Sequence, residues 1–171
     1  MTRVVAGTRR VGRRTAIACL ACTLVTGAVV GLEAALTTSA GPASPAAWWA
    51  SFAVLVAVQL VATGLLPRPR ATPRAAWLVA LVVAALTTFL LHPEHALTAA
   101  VIVGSAAAVA QYADRRTVIV VIAVQTLVAT AGIAGAGWPV GDILAGLVVY
   151  TGFQAFGVLV VRSACRWRRT P

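Results

Sequence analysis

Charge is what this chain of 171 residues has least of: 11% of it is Asp, Glu, Lys or Arg, where a soluble domain carries about a quarter. Lysine is absent, so all 14 basic residues are arginine, and they face only 4 acids. The shortage of charge comes with 60% hydrophobic residues and a mean hydropathy of +0.92. A chain this short cannot hide so much apolar surface in one small core. A soluble enzyme, a disordered tail and a free nucleic-acid binder are therefore excluded, and the chain is expected in a membrane. Arginine in place of all lysine, with abundant alanine, points to a GC-rich bacterial genome and so to a bacterial plasma membrane. Carboxylates are also missing from the middle of the apolar stretches. Ionisable groups deep in a span mark pumps and proton-coupled transporters, whereas Glu33 and Asp142 stand within about a helical turn of a span's end.

What is present is a series of long apolar runs. About 20 such residues cross a hydrocarbon core of roughly 30 Å as a helix. Six runs qualify, at 15–36, 46–66, 75–91, 96–113, 117–136 and 141–161, the third and fourth being the weakest because they are short. The breaks between them carry turn chemistry, such as Gly41-Pro42-Ala43-Ser44-Pro45, His92-Pro93-Glu94-His95 and Gly137-Trp138-Pro139.

The net charge of +10 is a topology signal. Arg3, Arg9, Arg10, Arg13 and Arg14 precede the first run, and Arg68, Arg70 and Arg74 separate the second from the third. Arg115 and Arg116 separate the fourth from the fifth, and Arg162, Arg166, Arg168 and Arg169 follow the sixth. With six spans, every arginine falls on one side, and Glu33, Glu94 and Asp142 fall on the other. The expectation is an all-α membrane protein: one domain of six transmembrane helices with both termini cytoplasmic, flanked by a basic N-terminus at 1–14 and a basic tail at 162–171. All five tryptophans, Trp48, Trp49, Trp77, Trp138 and Trp167, fall at expected interfaces, where amphipathic rings prefer to sit. A cleaved signal peptide is the rival reading of the first run, with Arg9-Arg10 in its basic region and Thr38-Ser39-Ala40 before a cleavage site. The apolar stretch exceeds the usual length of about 7–15 residues, and a retained helix is expected.

Five features are candidates for function. Cys19 and Cys22 form a CxxC near the cytoplasmic end of the first run, readable as a redox pair or soft-metal site. With no second CxxC or adjacent histidine, the expectation is two reduced thiols acting as small apolar residues. His92, Glu94 and His95 are the one cluster of titratable ligand types, open to a divalent ion or to pH sensing; a polar hairpin tip is expected, with no metal and no cofactor. Gln59, Gln125 and Gln154 are the deep polar residues, all roughly 10–12 Å from the cytoplasmic end of their spans. Amides in lipid seek partners, so a hydrogen-bonded layer joining the second, fifth and sixth spans is expected. Gly27 and Gly31 form a GxxxG, and Ala131, Gly132 and Gly135 a second small-residue stripe, for packing within the chain or in a homodimer. The basic tail, Arg162 to Arg169, suits anionic lipid, at about 1 kcal/mol per arginine near the surface.

The last run and tail contain Gly152-Phe153-Gln154-Ala155-Phe156 followed by an arginine-rich exit. This resembles the final sensor helix of actinobacterial sensor histidine kinases with multi-span membrane regions, in which a Gly-Phe-Gln-x-Phe run precedes a cytoplasmic coiled coil. In that family a phosphoacceptor domain and an ATP-binding domain come next; here ten residues follow the sixth run. The resemblance implies a non-enzymatic sensor module without an output kinase: a truncated gene product, the membrane half of a split kinase, or a relative acting through a separate cytoplasmic kinase or regulator. The alternatives are a small permease or channel subunit and a thiol redox protein of the membrane.

Overall fold

A computed structural model describes residues 2–36, 44–91 and 99–166, with side chains over 13–32, 44–91 and 99–163. The described chain is helical throughout: α1 (Thr2–Leu36), α2 (Pro45–Ala62), α3 (Arg74–Leu91), α4 (Ala99–Ala110), α5 (Arg115–Gly135) and α6 (Val140–Arg166). Local chemistry sets the ends. Ser44 caps α2, its Oγ accepting from the Ala47 amide at 3.3 Å, and Pro45 opens the first turn. The helix stops at Ala62 rather than at 66. The Thr63 hydroxyl donates back to the Gln59 carbonyl at 2.7 Å, and Gly64 turns the chain at φ +77°. Asp114 caps α5, and Gly137 at φ +79° separates α5 from α6.

Two helices outrun the expected spans. The first begins at Thr2, so the arginine-rich flank is helical, and the sixth continues past 161 to Arg166. The fourth ends at Ala110, three residues before the expected end of its span. Its twelve described residues rise about 18 Å. The other five are each long and apolar enough to cross a membrane.

The short helix is the centre of the bundle. It packs against α1, α3, α5 and α6, and nine of its residues, among them Ile102, Ser105 and Val109, are buried. Alanine and glycine predominate there because a helix surrounded by others needs little side-chain bulk for close approach. Around it Trp48, Phe52, Leu55 and Leu81 join Val101 and Ala108; Phe89, Ile133 and Tyr150 join Ala99 and Ile102; Val118 and Val158 join Ala106 and Val109. Phe89 and Tyr150 meet edge to face, with ring centroids 6.3 Å apart.

The glycine pair of α1 is used inside the chain. A Cβ at Gly27 would fall within the Phe52 ring, and one at Gly31 within the Trp49 ring. Trp48 departs from its expected place at a lipid interface: it is fully buried, stacked on Phe52 at 5.2 Å. The rings of Phe52 and Trp49 fill the space that the two glycines leave between α1 and α2.

The outer surface is apolar. Val25, Leu127, Val148 and Phe156 are each at least 65% exposed, which water would penalise and lipid does not. Five long apolar helices with an apolar exterior make this a multi-pass membrane protein.

Candidate functional site

Two features stand out on this scaffold, a buried polar relay and an apolar groove. The relay starts on α6. Gln154, fully buried, donates from Nε2 to Thr126 Oγ1 on α5 at 3.2 Å. The next residue on α5, Gln125, is also fully buried and donates from Nε2 to Ser105 Oγ on α4 at 2.6 Å. Ser105 in turn donates to the Ile102 carbonyl at 2.8 Å. Three helices are thus tied at one level by side chains that lipid cannot satisfy.

The pairing differs from a ring of glutamines. Gln125 and Gln154 bond small hydroxyl residues on neighbouring helices rather than other amides. Gln59 on α2 is buried, and its Nε2 has no partner among the described residues. A separate polar link joins α2 to α3, with Ser51 Oγ and Thr88 Oγ1 2.8 Å apart. Hydroxyls at Ser105 and Thr126 carried no signal in the sequence, because Ser and Thr are ordinary in apolar helices. Only the helix neighbours reveal them as acceptors.

The groove lies between α1 and α6 with α4 as its floor, a cavity of about 660 Å³. Ala18, Cys19 and Cys22 line one wall and Phe153, Phe156 and Val160 the other; Val103, Gly104 and Ala107 form the floor. The lining is almost wholly apolar. The Gly-Phe-Gln-x-Phe run of α6 is therefore two-faced: both phenylalanines look into the groove, and Gln154 between them looks into the bundle.

Both thiols of the CxxC belong to the groove and are free. Cys19 is half-buried and accepts from Gln111 Nε2 at 3.4 Å, while Cys22 is exposed. Among the described residues no three His, Cys, Asp or Glu side chains converge as a metal site would need. His92, Glu94 and His95 lie outside the described residues, as do Arg168 and Arg169. Arg166 ends α6, its side chain outside the description. Arg162 is half-buried and donates from Nη2 to the Ala113 carbonyl at 3.4 Å, tying the exit of α6 to the α4–α5 turn.

That end of the bundle holds further links. Tyr112 donates to the Thr63 carbonyl at 2.8 Å, and the Arg74 guanidinium sits 4.4 Å from the centre of its ring. The turns after α2 and α4 are thereby joined to the start of α3. Asp114 accepts from the Thr117 hydroxyl and from the amides of Thr117 and Arg116, each amide at 3.3 Å. The bond from the Thr117 hydroxyl, with lesser help from the two amides, holds its carboxyl below the usual carboxylate range.

No family model, no curated protein and no solved structure matches the chain.

Proposed function

We propose that the chain is a non-enzymatic, six-span signal-transduction module of the bacterial plasma membrane with both termini cytoplasmic, passing a shift in its bundle along α6 to a separate cytoplasmic kinase or regulator. The observation that carries the reading is α6 itself. It is one continuous helix of 27 residues, gripped at Gln154 by the relay and running on through Arg162 to Arg166 without a break. A continuous rod anchored at one depth transmits rotation or translation to whatever its end meets. The resemblance of Gly152 to Phe156 to sensor-kinase helices supports the same role. The positive-inside distribution of arginine supports the orientation, and the deeply buried α4 supports counting it as the sixth span. A permease is less well served, because the groove beside α6 is apolar and offers a polar solute no partners.

The test has two parts. Reporter fusions after Arg70, Arg115 and Pro171 should read cytoplasmic, and fusions after Pro42 and Gly137 should read external; any reversal defeats the orientation. A chimera joining the chain through α6 to a dimeric histidine-kinase core should change its autophosphorylation when one residue is inserted after Ser163, a rotation of about 100°. Gln154→Leu should change it too. Output indifferent to both changes defeats the signalling role.

A further inference from the structure

The groove has a shape and a charged end that together specify a ligand. We propose that it holds one acyl chain of an anionic phospholipid drawn from the leaflet at its arginine end, with the phosphate against Arg13 and Arg14. The inference stands on the groove alone and does not require the signalling role.

The wall on α1 runs from Thr15 to Thr26, a rise of about 16 Å. On α6 the facing wall runs from Val161 back to Val149, about 18 Å by the same measure. Helices three and four residues apart share a face, so Ala18 and Cys22 form one stripe. Arg14 stands on that stripe one turn beyond Ala18. Arg13 and Arg14 are both exposed, and Arg162 follows the last groove residue of α6. Among the described residues, the charges on the two helices that form this mouth, Arg13, Arg14 and Arg162, are cationic, with the acid Asp114 on the neighbouring α4–α5 turn, while the groove itself is apolar. An amphiphile with an anionic head and a hydrocarbon tail meets both demands at once.

The packing of α1 argues against a second copy of the chain. The face of α1 best suited to close helix pairing, Gly27 and Gly31, is already filled by Phe52 and Trp49. An extended hydrocarbon chain is far thinner than a helix. It can lie against the floor at Gly104 and Ala107, with Phe153 and Phe156 closing over one side.

The experiment is native mass spectrometry of the full chain in detergent, with phosphatidylglycerol and phosphatidylcholine of identical acyl chains as probes. One phosphatidylglycerol should be retained, more tightly than phosphatidylcholine by about fivefold for each arginine engaged. Arg13→Gln with Arg14→Gln should abolish that preference. Ala18→Phe, which fills the groove from its exposed wall, should lower retention of both lipids. Ala53→Phe on the exposed face of α2 should leave both unchanged. A preference that survives loss of both arginines overturns the assignment. So does unaltered binding by Ala18→Phe, or a change in its oligomeric state without a change in lipid retention. An independent reading leaves Arg13, Arg14 and Ala18 in place. With Cys19 and Cys165 changed to Ser, phosphatidylglycerol should slow alkylation of Cys22 by N-ethylmaleimide more than phosphatidylcholine does, and equal rates with the two lipids overturn the proposal.

Discussion

Gln154 of α6 and Thr126 of α5 meet through an Nε2 to Oγ1 hydrogen bond of 3.2 Å, with Gln154 fully buried. Beside it, Gln125 makes the equivalent bond from α5 to Ser105 of α4. The two bonds leave from adjacent residues of one helix toward two different neighbours. Whatever moves α6 therefore loads the α4–α5 contact as well.

A double-mutant cycle measures that link. Gln154→Leu and Thr126→Val should each destabilise the bundle in detergent. Their combination should cost less than the sum, with a coupling of about 0.6 kcal/mol, the average for such bonds between membrane helices. Strict additivity of the unfolding free energies would mean that the bond contributes nothing.

Gln59→Leu should behave differently. Its Nε2 is buried with no partner among the described residues, whereas Gln125, whose Oε1 is equally unpartnered, still donates from Nε2 to Ser105; an unsatisfied polar atom costs about 1–3 kcal/mol. Replacement by Leu should leave stability unchanged or raise it, while Gln125→Leu lowers it. Thermal unfolding of the two single variants separates the cases, and equal losses would place Gln59 in the relay after all.

Gly27 should not tolerate even a methyl group. Gly27→Ala drives a Cβ into the Phe52 ring and should cost about 1–3 kcal/mol, as overpacking does. In a Phe52→Ala background, where the ring is gone, Gly27→Ala should cost less than it does in the wild type. An equal cost in both backgrounds would show that the Phe52 ring does not sit against Gly27.

Asp114 predicts a pH effect of defined sign. Its carboxyl is held below its ordinary range by the Thr117 hydroxyl, so the capped form is favoured when ionised. The stabilisation is fully present above the unfolded pKa and is lost as pH falls through the lowered folded value. Wild type should melt above Asp114→Ala at neutral pH, and the gap should close as the pH falls below the ordinary carboxylate range. A gap independent of pH would remove the ionised cap from the account.

The expectation that three glutamines share a depth came from counting residues back from each span's end, and all three are buried. Their partners were not legible. Ser105 and Thr126 are acceptors only because α4 and α6 lie beside α5, and helix adjacency leaves no trace in a run of alanine and valine. The GxxxG of α1 announced a close contact, but not that Trp49 and Phe52 of its own chain would occupy it. The short fourth run looked weakest as a span for the reason that makes it the centre: its small residues suit helix neighbours better than lipid.

By itself the sequence determined a membrane-embedded helical protein, because too few charges and too much apolar surface leave lipid as the only compatible solvent. Turn residues also set the ends of α2 and α5, since capping and positive φ are local chemistry. Only the tertiary structure decided which faces meet. Apolar helices are nearly alike to lipid on every side, so packing shape and a few hydrogen bonds choose the neighbours. That choice buries the relay behind Gln154 and leaves Phe153, Phe156 and Cys22 around an apolar groove.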